Sequence, residues 1–340
     1  MNRISLLITT LFLATLALGP ANAETFIVNS TDDVDDATCD TIHCSLREAI
    51  QAANDTAGSD IIQFDDVLAG ATITPTVDLP EITEAVTIDA TTLTGFTCQS
   101  AMQLMIDGST STDGLIIAST ASGSVIRGLT LGSFGSGRAI QIFSDDNVVQ
   151  CNFIGTDLTG LVSTKNVTGI FLGQSASNNL IGTNGDGVDD TAERNVISGN
   201  VSVGVVIDGQ EAINSSLPLP EGNTIAGNYI GPGVDGVTEV GNGLGVILTA
   251  TNDNIVGTNG DGNGFDGNEG NVVAGNTETG VFVAGNASSD MPDPVKDLSA
   301  GNVIAGNLIG VDATGNTELP NGTTVSVPTP TASRTISNAM

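Results

Sequence analysis

Apolar and polar positions alternate along this chain in runs of only three to five residues, punctuated by Asn and Gly. The hexad Asn-x-(Ile/Val)-x-x-Asn recurs as NVVQCN at 147, NLIGTN at 179, NVISGN at 195, NTIAGN at 223, NIVGTN at 254, NVVAGN at 271 and NVIAGN at 302. A second phrase falls between hexads: GIFLG at 169, GVVIDG at 204, GVILTA at 245 and GVFVAG at 280. SVIRGLTL at 124 and AIQIFS at 139 read as an earlier, degenerate copy. Each phrase predicts a short strand with one buried face, and glycine supplies the bends. The hexads step by 32, 16, 28, 31, 17 and 31 residues, so a unit of 76 to 79 residues overlies a smaller one. Strands this short cannot bury their own faces, but roughly ten turns stacked about 4.8 Å apart close a continuous core. Asn at matching bends can stack into side-chain ladders. The expected architecture is all-β, a right-handed parallel β-helix, its hand following the crossover rule. A propeller needs regular blades, which the alternating spacing does not provide.

One stretch breaks the pattern: CDTIHCSLREAI at 39–50. Ser45 with Glu48 three residues on is a capping box. Leu46, Ala49, Ile50 and Ala53 make one apolar helix face, and Gly58 is expected to close the helix. A solenoid has an open end that must be covered, and this short helix is suited to cover it. Cys39 and Cys44 are expected to form a small disulfide loop before it.

Residues 1–23 read as a secretory leader: Arg3, an apolar run and ANA at 21–23. No later run is long enough to span a bilayer. The chain then divides into a cap at 24–60, repeats at 61–325 and a Pro/Thr-rich tail at 326–340, expected to be a linker. The protein is placed outside the inner membrane: periplasm, cell surface or medium. The 43 glycines and absence of tryptophan fit short strands and turns. The net charge of −31 argues against nucleic acid and anionic lipid as partners. It leaves a polysaccharide or cell-surface glycan as the expected partner, and calcium as the expected ion.

The segment at 44–49 resembles the CSLREA domain, an N-terminal module of exported bacterial proteins commonly followed by right-handed β-helix repeats. SDIIQF, EITEAVTIDATT, QLMIDGS, RNVISGN and GNLIGVDATGN are also similar to that family. The resemblance covers nearly the whole chain after the leader. It implies a fold and export, and brings no reaction or catalytic set.

Candidate chemistry is sparse. His43 is the one histidine; a His-based triad or metal cluster needs partners that the sequence does not place beside it, so it reads as a loop residue. Arg127, Arg138, Lys165 and Arg194 are candidate bases of the kind used by β-helix polysaccharide lyases, without a lyase motif around them. Asp145 and Asp146 form a carboxylate pair of the type inverting glycosidases use, but fall at a bend. Two glycine-spaced acidic loops recur 75 residues apart, offering Asn184, Asp186, Asp189, Asp190 and Glu193, then Asn259, Asp261, Asp266 and Glu269. These oxygens suit calcium, or make polar turns. Cys151 takes the glycine slot of its hexad and is a candidate partner for Cys98 in an adjacent turn. SSLPLPEG at 215–222 and SSDMPDPVKDLSAG at 288–301 interrupt the repeats as loops. Two readings follow: a non-enzymatic exported β-solenoid that binds or supports, or a polysaccharide lyase or glycoside hydrolase.

Overall fold

The computed structural model describes residues 23–215, 217–260, 266–284, 299–326 and 335–337. The leader, Asp261 and most of the tail therefore lie outside the described residues. All named strands pair in parallel and fall into three sheets, A with ten strands, B with eight and C with seven. One turn runs through Val148–Gln150 in sheet A, Phe153–Ile154 in B and Thr168–Leu172 in C. It returns to sheet A at Leu180–Gly182, with Val149 paired to Ile181. This is a right-handed parallel β-helix.

The strand phrases form because β-branched residues alternate with others on a pleated surface. Their inward positions stack in columns: Ile126, Val149, Ile181, Ile225 and Val256 in sheet A are all fully buried and in register. Leu131, Ile154, Ile197, Ile230 and Val273 do the same in sheet B. Each such side chain contributes about 1.5–3 kcal/mol by leaving water.

Asparagine marks the corner before each sheet. Asn147, Asn179, Asn223, Asn254 and Asn302 form one ladder, each amide donating to the next Oδ1 at 2.8–2.9 Å. Asn152, Asn195, Asn228, Asn271 and Asn307 form a second. Asn166, Asn200, Asn242, Asn276 and Asn321 form a third, before sheet C. The hexads therefore do not all occupy one corner. Those at 195 and 271 run through sheet B, the other five through sheet A, so a 16-residue step moves along a turn rather than around one. Where the corner is tight, a residue with positive φ turns the chain: Gly227 at 69° and Gly199 at 80°, with Cys151 in the same slot at 57°.

Long corners alternate. Between sheets A and B they follow Val86–Asp89, Leu180–Gly182 and Ile255–Gly257, the last two being two turns apart. Between B and C they follow Phe153–Ile154, Tyr229–Ile230 and Leu308–Ile309, again every second turn. This explains the larger unit: it is two turns long.

The N-terminal end is closed by the helix Leu46–Asp55. Its Leu46, Ala49, Ile50 and Ala53 join the core, and the capping box of Ser45 and Glu48 is formed. The helix stops at Asp55 with Thr56 as C-cap; Gly58, expected to close it, lies two residues beyond. Thr56 serves instead because its hydroxyl donates to the Ala52 carbonyl at 2.8 Å. The strand Thr25–Val28 pairs with Asp60–Phe64, so this segment also supplies the terminal strand of sheet A.

Candidate functional site

Outer faces decide what a solenoid can bind, and that of sheet B is covered by the protein's own corners. Phe153 and Val196 on the outside of sheet B pack with Met102, Leu158 and Val234. Further along, Val272 and Tyr229 are covered by Leu319 and Ala313. Leu158, Val234, Ala313 and Leu319 come from the long B–C corners, which fold back over the sheet as small hairpins closed at Thr156–Ser163, Pro232–Glu239 and Val311–Glu318. Sheet A carries Arg127 paired with Asp89 at 2.6 Å, Asp89 being 2% exposed and also accepting from Thr91, and beside this pair a half-buried outward row of Val125, Val148, Leu180, Thr224, Ile255 and Val303.

Sheet C differs in carrying aromatic rings and a cation beside its outward row. Between its inward residues stand Ile116, Gln141, Phe171, Val206, Ile247 and Phe282, paired in register from strand to strand. Strand alternation turns them outward, in a row about 24 Å long at ~4.8 Å per strand. Arg138 lies over the Phe171 ring, 3.8 Å from its centre, and donates to Gln141 at 2.8 Å. Phe143 meets Phe171 edge to face at 6.1 Å. Both rings lean into the space over Gly173, where a Cβ would stand 2.3 Å from Phe171. Arg138 thus shields Phe171 and offers its outward edge to solvent. Among the described residues it has no carboxylate within ion-pair distance. Gln141 and Phe171 are buried, at 5% and 7% exposed, so the surface offered is Ile116, the Arg138 guanidinium, Val206, Ile247 and Phe282. A half-buried ring such as Phe282 can stack on a sugar, and the guanidinium can pair with an acidic group.

The other candidates are placed as follows. Arg194 stacks on Tyr229 at 4.2 Å and donates to the Gly227 carbonyl. Lys165 sits at a bend with φ 64°. Asp145 accepts the Ser177 N–H at 2.8 Å and Asp146 has φ 60°; both shape the corner before Asn147. Cys39 is joined to Cys44, and Cys98 to Cys151; the latter two lie two turns apart rather than in adjacent ones, because the long corner after Val86–Asp89 reaches past the short corner at Gly128.

The two acidic loops are the long A–B corners. Asp190 accepts from Thr183 and the Gly187 N–H, and its second oxygen accepts from Asn268 of the other loop at 3.0 Å. Asp186 accepts the Val188 N–H, and Asn184 that of Asp186. Glu193 accepts the Asn184 N–H, and Glu269 that of Asn259. Asp189 turns the chain at φ 58°. Asp261 and the side chain of Asp266 lie outside the described residues. The carboxylates that can be traced accept from N–H groups of their own loops, and Asp190 also ties one loop to the other through Asn268, which is what holds a pair of polar turns.

His43 is not the isolated loop residue the sequence suggests. Its Nε2 lies 3.0 Å from Asp32, and its Nδ1 3.1 Å from Glu48 and 4.0 Å from Asp36. The hydrogen bond to Asp32 raises its pKa, opposed by desolvation and helped by the charge of Glu48. Among the described residues, Asp36, His43 and Glu48 are the one set of three whose ligand atoms all lie within 4.8 Å. No periodicity marks this set. The signal was the second cysteine, because the Cys39–Cys44 loop returns His43 to the helix start.

No described helix is long and apolar enough to cross a membrane. No protein-family model matches the chain, and no curated protein matches it. Among solved structures it is similar to an alginate lyase from Paenibacillus sp. str. FPU-7, with 17% identity over 89% of this chain and 99% of that one, at a TM-score of 0.38. It is similar to the Dettilon tailspike protein, with 14% identity over 83% of this chain and 50% of that one, at 0.41. It is also similar to the major allergen from cedar pollen, with 12% identity over 93% of this chain and 82% of that one, at 0.38. At this distance each likeness concerns architecture alone.

Proposed function

We propose that this protein is an exported β-helix that binds an extended polysaccharide along the outer face of sheet C. The observation that carries this reading is the in-register row from Ile116 to Phe282, with Arg138 over Phe171. It runs across six turns, with Val206, Ile247 and Phe282 half-buried on one side and Arg138 covering the buried Phe171 and Gln141. Elsewhere the charge of −31 disfavours polyanions, so the favoured glycan is neutral or sparsely acidic, with any acidic group near Arg138. Export is supported by the two disulfides, which persist in oxidising compartments, and by the leader-like start. The end segment at 24–60 is proposed as a CSLREA-type cap on its sequence motif and its capping helix.

The experiment is affinity electrophoresis against a panel of neutral and uronate polysaccharides. Phe282→Ala and Arg138→Ala should weaken retardation tenfold or more while circular dichroism stays unchanged. Absence of retardation by every glycan, or equal retardation of the variants, overturns the reading.

Cleavage of the bound chain is the second reading. What favours it is Arg138, a cation beside the row without a carboxylate partner among the described residues, which could pair with a uronate carboxylate and make the proton α to it more acidic. Release of unsaturated uronates or new reducing ends, lost in Arg138→Ala, would establish it; their absence with binding intact leaves a binding protein.

A further inference from the structure

The start of the cap helix assembles a donor set with no role in the solenoid row. Glu48 is fixed by the helix: Oε2 accepts the Ser45 N–H at 2.8 Å, Oε1 accepts the Asp36 N–H at 2.7 Å, and its side chain is 1% exposed. The Cys39–Cys44 link, with Cα atoms 4.3 Å apart, brings His43 back onto it. On the far side of the imidazole, Asp32 stands 3.0 Å from Nε2. A carboxylate there takes the Nε2–H, as the outer partners of metal-bound histidines do, and leaves Nδ1 with a lone pair. Nδ1 is buried and has no hydrogen-bond partner, although Glu48 Oε2 is 3.1 Å away and Asp36 Oδ2 4.0 Å. A lone pair facing two carboxylates is repulsive, and either a proton on Nδ1 or a metal ion between the three groups relieves it.

The spacing suits such a cation. Ligands about 2.0–2.2 Å from a tetrahedral ion stand roughly 3.3 Å from one another, and the separations here straddle that value. One imidazole and two carboxylates suit zinc and its neighbours, whereas calcium takes six to eight oxygens. We infer that Asp36, His43 and Glu48 form a site for a divalent ion of the zinc class, with Asp32 orienting the ring. The bound ion fastens the loop before the helix to the helix start, locking the closed end of the solenoid.

The test is calorimetric titration of zinc chloride into the purified, chelator-treated protein with its disulfides intact, at constant pH and ionic strength. One equivalent should bind. Asp36→Asn and His43→Gln should each weaken binding tenfold or more, and Asp32→Asn, a positioning residue, tenfold to a hundredfold. Calcium at the same concentration should give no saturable heat. Nitrogen NMR of His43 in the wild-type protein provides a readout that needs no variant: zinc should move Nδ1 and leave Nε2–H in place. No saturable zinc binding, equal binding by Asp36→Asn and His43→Gln, equal binding of calcium, or a His43 ring unmoved by zinc would each overturn the site.

Discussion

Asn195 donates its side-chain amide to Oδ1 of Asn228 in the next turn at 2.9 Å, while its own Oδ1 accepts the backbone N–H of Asn152 at 3.0 Å. The amide also donates to the Val149 carbonyl, and Oδ1 also accepts from the Asn152 amide. All four hydrogen-bonding positions of a fully buried side chain are filled. Asn195→Ala strands several buried partners at about 1–3 kcal/mol each, so a loss of about 3 kcal/mol is expected. Asn195→Asp should cost more, because it turns a donor into an acceptor facing two acceptors. Denaturant titration of both variants checks this, with exposed Asn316→Ala, expected within about 0.5 kcal/mol, as control.

At the capped end, Ser45 accepts the Glu48 N–H and donates to the Val34 carbonyl. Ser45→Ala should destabilise by about 1 kcal/mol. The effect should be local: hydrogen exchange should quicken over 25–64 and remain unchanged in the central turns. Unchanged exchange in both regions would remove the capping role.

The two disulfides should differ in worth. Cys39–Cys44 closes a short loop and Cys98–Cys151 spans 53 residues. Loop entropy gives about 2 kcal/mol for the first and about 4 kcal/mol for the second. Cys151 also holds φ 57° in a glycine slot. Cys98→Ala/Cys151→Gly should therefore be more stable than Cys98→Ala/Cys151→Ser by about 1 kcal/mol. Thermal melts of the two double variants decide it.

Acid should loosen one corner in particular. Asp312 accepts the Thr314 hydroxyl at 2.7 Å and the N–H groups of Thr314, Asn316 and Thr317; the Thr314 hydroxyl above all holds its pKa at about 2. A carboxyl depressed in the folded state stabilises above its ordinary range and loses that contribution as pH falls from about 4 towards 2. Carbon NMR should find Asp312 still ionised at about pH 3, and exchange in 310–319 should rise only below that. An ordinary titration midpoint would contradict the hydrogen-bond network.

The acidic A–B corners should respond to charge screening and to nothing more specific. Calcium and sodium at matched ionic strength should give the same melting temperature, in wild type and in Asp186→Asn. A calcium-specific rise lost in Asp186→Asn would show that these oxygens leave their N–H partners for an ion.

The stacked fold was legible because its cause is local: a buried Asn at a corner and a β-branched residue two positions on both leave their mark in the hexad. The third ladder was also written there. Asn200 closes one hexad and Asn276 another, and each opens a strand of sheet C. Taking the hexad as one strand, rather than a strand plus the first residue of the next, concealed this. The Ser45–Glu48 cap was legible for the same reason. The row on sheet C was harder, because Phe171 and Phe282 differ from inward residues only in phase. The environment of His43 depends on Asp32 and Asp36 being folded back by a loop that has no period.

The tight corner at Gly227 is roofed by both neighbouring long loops. A Cβ there would stand 2.6 Å from Thr183 and 2.9 Å from the Asn268 carbonyl. Adjacent turns therefore cannot both carry a long A–B corner, since the room for each is borrowed from the short one between. Growth or loss by a single coil would set two such loops side by side at ~4.8 Å. Between Asn147 and Asn302, change of length should thus come in coil pairs, through duplication or deletion of units like the 76-residue step from Asn147 to Asn223.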